Sequence, residues 1–314
     1  MRNVPSSSTL ERTFTKEVVE MNQLMSDRKT IFLLVAPGFL ILVSMIIFPI
    51  GMSVYYGFTD WGGIGDYNFI GFENFKNIIF NDEIFRTALV NAILLTLATV
   101  FIQHPIAILL SILITHCGRW EKVLRTILFI PAIISIVVIA KLWASIYNPQ
   151  YGLLNNALEA IGLSALKQDW LGNPDIAIWS IIVVTMWQGF GYAFLLYYAG
   201  LKGVPEELFE AAKIDGANPF QLYTKVVIPL LAPMARVAII IAVITCLKQM
   251  EVVYLMTDGG PGNSTQLLGN YLYQTAFASS QYGYGNAISV IFVIVVLIIT
   301  VVLNKFLKRD VGEY

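Results

Sequence analysis

The sequence predicts an all-α polytopic membrane protein with six transmembrane helices and a helix–turn–helix loop on the cytoplasmic side. Three observations predict it. The 314 residues are 57% hydrophobic and only 13% charged, with mean hydropathy +0.69, an apolar surplus that one soluble core cannot bury. Apolar runs of membrane-crossing length recur six times. The longest polar interruption between two of them, residues 206–229, carries helix start and stop signals of its own.

Residues 1–30 form a polar N-terminal tail, 31–308 the six-span domain, and 309–314 a second short tail. Within the first tail Leu10, Phe14, Val18, Met21 and Met25 recur at steps of three and four. That spacing suits an amphipathic helix on the inner membrane surface, the alternative being a fraying tail. The first apolar run begins at Ile31 and continues past Gly51, twice the length of a signal-peptide h-region, so it reads as a span.

The spans fall at about 31–57, 86–115, 123–147, 175–200, 234–256 and 286–307. Each exceeds 20 residues, enough at about 1.5 Å per residue to cross a hydrocarbon core of about 30 Å. Placing the N-terminus inside puts 15 of the 20 lysines and arginines on the cytoplasmic side and leaves Lys76 and Lys167 in the outer loops. This bias predicts a multi-pass protein with both termini cytoplasmic. The outer loops, 58–85, 148–174 and 257–285, carry Trp61, Trp170 and several tyrosines where interfacial aromatic belts form, and Gly259 to Gly262 make a turn after span five.

Several classes of function are disfavoured. A formal net charge of −1 argues against nucleic acid as a partner. Cys117 and Cys246 define no disulfide or metal framework, and no phosphate-binding GxxxxGK[ST] motif occurs. An intramembrane enzyme would need a paired catalytic set, and the sequence offers two histidines at different depths, His104 and His116. No catalytic or metal-binding residue is therefore assigned.

The interruption reads EELFEAAKIDGANPFQLYTKVVIP. Pro205 opens a helix, Glu206 and Glu207 complement its N-terminal dipole, and Leu208, Ala211 and Ala212 share one face. Asp215 and Gly216 stop it. Asn218 caps a second helix with Pro219 at its first position, and Phe220, Tyr223 and Val227 follow before Pro229 is expected to end it. The pair needs a surface against which to bury its apolar face: either a separate soluble partner or the inner ends of spans four and five.

The spacing of this stretch resembles the EAA loop of binding-protein-dependent ABC importer permeases. Glu210, Ala211 and Ala212 are followed after three residues by Gly216 and after nine more by Val226, Val227, Ile228 and Pro229. Val226 and Ile228 replace the usual Ile and Leu. Residues 69–78, FIGFENFKNI, and 251–265, EVVYLMTDGGPGNST, are similar to segments of carbohydrate permeases such as the maltose and glycerol-phosphate importers. The resemblance runs from about residue 31 to 307. It implies the type I ABC importer permease fold and a loop, residues 201–233, that couples the permease to an ATPase through Glu210, Ala211, Ala212, Asp215, Gly216 and Pro229. It further implies a carbohydrate substrate, a second homologous permease subunit in a heterodimer, two ATPase subunits and an extracytoplasmic sugar-binding protein. ATP and Mg belong to the partner ATPase, so no cofactor is expected on this chain, and the implied location is the bacterial-type inner membrane.

The candidate substrate path lies in spans four and five. Trp187, Gln188, Gly189 and Tyr192 sit near the bilayer midplane by helix rise, an aromatic-and-amide grouping that suits sugar stacking and hydroxyl recognition; the alternative is helix packing. Lys248 and Glu251 stand in the outer third of span five, beside Gln249, with Tyr254 a turn further. A charge facing lipid at the bilayer centre costs ~2.5–3.5 kcal/mol, so they should face a wet cavity or pair with each other. Pro105 is expected to kink span two, with His104 as a packed polar residue. An ion-coupled secondary transporter would use Lys248, Glu251 and His104 as relay groups but leaves the loop without a role; a permease for a phosphorylated polyol would keep it.

Overall fold

The computed structural model describes residues 28–307 and divides into two units at Tyr56 and Gly57. The N-terminal periodicity from Leu10 to Met25 and the tail at 309–314 lie outside the described residues. Among its described residues the first unit is one helix, α1 (Lys29–Gly57, its last residue counted with the second unit), with a widened turn at Val43–Ile47.

The second unit is also helical. Its elements are α2 (Glu73–Phe80), α3 (Glu83–Thr115), α4 (Glu121–Ile133), α5 (Ile136–Ile146), α6 (Leu153–Ala160) and α7 (Pro174–Lys202). They continue with α8 (Glu206–Ile214), α9 (Pro219–Leu230), α10 (Ala232–Leu247), α11 (Glu251–Met256), α12 (Leu268–Tyr273) and α13 (Tyr282–Phe306). Among the described residues four helices, α1, α3, α7 and α13, are long and apolar enough to cross a membrane. Two bent pairs, α4–α5 and α9–α10, bring the number to six.

Two of the predicted spans are therefore interrupted. Span three bends by 97° between α4 and α5, where Ile134 and Ser135 take extended backbone angles. From Phe129 to Ala140 the run is apolar except for Ser135, so hydropathy carries little mark of the break. Packing does: α5 turns aside to bury Ile139 and Ala140 as it meets α11, whose Val252 and Val253 are also fully buried. Span five ends at Leu247 and resumes as α11 only after Met250, so residues 234–256 are two helices rather than one.

Three prolines inside these helices are accommodated by a repeated device. Pro49, Pro105 and Pro229 each follow a turn in which one N–H reaches five residues back: Phe48 to Val43, His104 to Thr99, and Ile228 to Tyr223. A proline ring collides with the carbonyl four residues before it, and widening the turn moves that carbonyl aside. Consequently Pro105 lies within a helix that runs unbroken to Thr115. Pro229 does not end the second loop helix either. The chain bends by 64° at Leu231, two residues later.

The main core gathers Ala88, Ala92 and Leu95 of α3, Ile181 and Ile182 of α7, Leu247 of α10 and Ile288 of α13. α7 packs against α3, α4 and α10 and so forms the axis on which the candidate sites are arranged. Asn91 of α3 donates to the carbonyls of Ser264 and Gln266, at 2.8 and 2.9 Å, and ties the glycine-rich segment to the bundle.

Candidate functional site

The loop at 206–229 is a rigid object built from local hydrogen bonds. At the end of α8 the Gly216 N–H bonds to Lys213 O (3.1 Å) and the Ala217 N–H to Ala212 O (3.0 Å), a Schellman closure in which Gly216 adopts φ +77°. Asn218 and Gln221 then form a reciprocal capping box: Asn218 Oδ1 accepts from the Gln221 N–H at 2.9 Å, and Gln221 Oε1 from the Asn218 N–H at 3.0 Å. Helix, turn and helix follow from the residues read in the sequence.

The pair also packs on its own chain. Ala212 is buried with Leu201 at the end of α7, Leu222 and Val227 of α9, and Leu231 at the bend; Phe209 and Tyr223 flank this cluster. Of the residues predicted to couple, Ala212 is thus a packing residue, Asp215 caps α8, Gly216 makes the turn and Pro229 lies inside α9. Glu210 and Ala211 remain exposed. Beside them stand two residues that the sequence reading did not single out for contact, Ile214 at 86% exposure and Phe220 at 77%. Large side chains this exposed at a well-ordered turn are an unfilled contact surface.

A cavity of about 520 Å³ opens between α3, α7 and α10, near the starts of α5 and α11. Gln188, Gly189 and Tyr192 of α7 and Glu251 of α11 line it, and the Tyr192 hydroxyl donates to the Ala132 carbonyl at 3.1 Å. Gln103 and His104 of α3 and Gln249 line it as well. His104 shares a 2.6 Å hydrogen bond between Nδ1 and the Tyr197 hydroxyl, while its Nε2 is buried without a partner. Gln103 and Gln249 are 6% and 8% exposed. Their signal in the sequence was an amide inside an apolar run, the same signal that drew notice to Gln188.

Three predicted path residues lie elsewhere. Trp187 faces a second cavity of about 480 Å³, lined almost wholly by aliphatic and aromatic groups, and packs edge-on against Trp143 with ring centres 5.5 Å apart. Lys248 is exposed and outside the lining, and Tyr254 stands on α11 against Tyr273. The expected pairing of Lys248 with Glu251 does not form. The break at 248–250 ends one helix at the lysine and starts another at the glutamate, so the two do not share a helical face. Ion pairs do form elsewhere among the described residues, as between Lys167 and Glu159 and between Lys202 and Glu121.

Six membrane-length segments, two of them bent, a cavity at mid-helix depth that gathers three amides and a histidine among apolar groups, and an ordered turn with exposed apolar residues define a membrane transport subunit. The chain belongs to the family of binding-protein-dependent transport system inner membrane components, which it matches over residues 105–312. It is 36% identical to the probable ABC transporter permease protein PH1215 of Pyrococcus horikoshii, over 87% of this chain and 94% of that one. It is 34% identical to the diacetylchitobiose uptake system permease protein NgcF of Streptomyces coelicolor, over 91% of this chain and 86% of the relative. Its fold is similar to a crystal structure of a bacterial ABC transporter involved in the import of the acidic polysaccharide alginate, with TM-score 0.79 and 25% identity, covering 92% of this chain and 100% of that one.

Proposed function

We propose that this chain is one transmembrane subunit of an ATP-driven importer that carries a carbohydrate inward by alternating access. A second, homologous permease completes the pathway as a heterodimer. Two ATPase subunits holding ATP and Mg engage the α8–α9 turn, and an extracytoplasmic sugar-binding protein delivers substrate to the outer loops. Both termini are cytoplasmic, as the lysine and arginine bias requires.

The observation that carries this reading is the α8–α9 turn. It is capped at both helix junctions, fixed to the chain by Ala212, and exposes Glu210, Ile214 and Phe220 together. An ion-coupled transporter has no use for such a surface. Rigidity also suits force transmission, because a turn held by its own hydrogen bonds passes displacement to α7 and α10 instead of absorbing it. The uptake systems of the sugar permease relatives supply the substrate class, and the amide-lined cavity fits it.

Vesicles containing the two permeases and the ATPase, with ATP inside and binding protein outside, test the proposal. Sugar should accumulate only when both are present, and Ile214→Asp should abolish ATP-dependent uptake. Uptake that follows a proton or sodium gradient and ignores ATP would overturn the reading.

A further inference from the structure

We propose that the α3 pair Gln103 and His104 forms part of the substrate-contacting wall of the 520 Å³ cavity, and that the cavity selects uncharged sugars over uronates and phosphorylated polyols. The inference rests on the carbohydrate reading above and narrows it to a substrate class.

The first ground is unfilled hydrogen-bonding capacity. Gln103 is 6% exposed, Gln249 is 8% exposed and His104 is 2% exposed, and all three line the cavity. His104 spends Nδ1 on Tyr197 and leaves Nε2 buried without a partner. Burying a polar atom without a partner is unfavourable, and a ligand hydroxyl removes that cost on binding. A hydroxyl both donates and accepts, so it matches a carboxamide and an imidazole equally well. Gln103 also stands next to α7: a Cβ added at Gly189 would lie 3.5 Å from Gln103 Nε2. The α3 amide and the Gln188–Gly189 segment are therefore adjacent parts of one wall.

The second ground is the sign of the charge. The lining contains Glu251 and neither lysine nor arginine. Recognition of a carboxylate or phosphate uses arginine forks, lysine or clustered backbone N–H groups, and an acid in their place repels an anion. The nearby cation of this segment, Lys248, is exposed and outside the lining.

Equilibrium binding to the assembled transporter without its binding protein separates the possibilities. Radiolabelled neutral disaccharides, glucose-linked and N-acetylglucosamine-linked, are compared with uronate disaccharides and glycerol 3-phosphate as competitors. The expected result is displacement by unlabelled neutral sugar and not by either anion. Gln103→Leu, close in volume, should weaken neutral binding about 3- to 10-fold, the loss of one hydrogen bond. Glu251→Gln, at an exposed position of the lining, should raise competition by uronates relative to neutral sugar. Its increase cannot arise from misfolding. Equal displacement by anions in the unmodified transporter, or a Gln103→Leu variant that binds as the original does, would overturn the inference. Failure of ATP-loaded vesicles to take up any carbohydrate, neutral or acidic, would overturn the carbohydrate reading itself.

Discussion

Nε2 of His116, just past the end of α3, lies 2.9 Å from the hydroxyl of Tyr223 on α9. The same ring places Nδ1 2.9 Å from the Ile112 carbonyl. A carbonyl only accepts, so Nδ1 carries a proton, and in the neutral ring Nε2 accepts from the phenol. The loop that follows span four is thereby tied to the end of span two, a hundred residues earlier in the chain. Tyr223→Phe should remove about 0.5–1.5 kcal/mol from that junction. We expect little change in the thermal midpoint of the whole protein, faster amide exchange in α8 and α9, and less sugar moved per ATP hydrolysed.

At Gly216 the left-handed backbone angle sets the consequence of substitution. Nothing lies within 4 Å of the position a Cβ would occupy, so a side chain meets no obstacle. Its cost is conformational, about 1–2 kcal/mol for most residues and less for asparagine. Gly216→Leu is expected to loosen the turn and lower coupling, and Gly216→Asn to preserve most of it. Stability and coupling ratios that were the same for both variants would show that the backbone angle is not the controlling factor.

Asp82 joins three elements at the opposite end of α3. Its Oδ1 caps α3 by accepting from the Phe85 N–H at 2.8 Å, and its Oδ2 accepts from the Tyr271 hydroxyl at 2.5 Å and the Tyr284 hydroxyl at 2.7 Å. Asp82→Ala should destabilise the fold by roughly 2–4 kcal/mol, since a cap and two charge-assisted bonds are lost together. Burial, and then the Asp82 carboxylate, raise the pKa of Tyr271 above the ordinary tyrosine value. A raised value means that the fold prefers the neutral phenol. That preference stabilises fully below the ordinary pKa of about 10 and is lost as pH rises through the elevated value. An absorbance titration of tyrosinate should show Tyr271 ionising after the exposed tyrosines, and Asp82→Asn should bring it earlier.

The crossing of α4 and α7 depends on a missing side chain. A Cβ at Gly191 would come within 3.0 Å of Ala132 Cβ and 3.1 Å of the Leu128 carbonyl, whereas one at Gly189 would meet only the end of Gln103 at ordinary contact distance. Gly191→Leu should therefore lower stability by about 1–3 kcal/mol through forced separation of the helices. Gly189→Ala should melt close to the unmodified protein. Thermal unfolding of the two variants in detergent distinguishes a packing glycine from a cavity glycine two residues away.

Much of this was legible from residue types and spacing. The loop helices were, because Asn218, Pro219 and Gly216 act on backbone groups within a few positions of themselves. The amides of Gln188 and Gln249 could be noticed because polarity inside an apolar run is conspicuous wherever the chain folds. The break at Ile134 was not, since both sides of it are equally apolar and its cause is the packing of α5 on α11. Nor was the fate of Lys248 and Glu251: their spacing of three implies a shared face only while the helix continues, and it stops between them. Pro229 misled in the opposite sense, because a widened turn absorbs a proline that local rules treat as a stop.

By itself, then, the sequence determined the helical class, the approximate spans and the capped turn. These depend on hydropathy and on bonds between near neighbours. Only the tertiary structure decided that Ala212 packs inward while Ile214 and Phe220 face out, and that Gln103 and His104 of span two meet Gln188 of span four and Gln249 of span five around one cavity. Those outcomes depend on which faces of distant helices meet, and a helix surface described one residue at a time does not specify its neighbour.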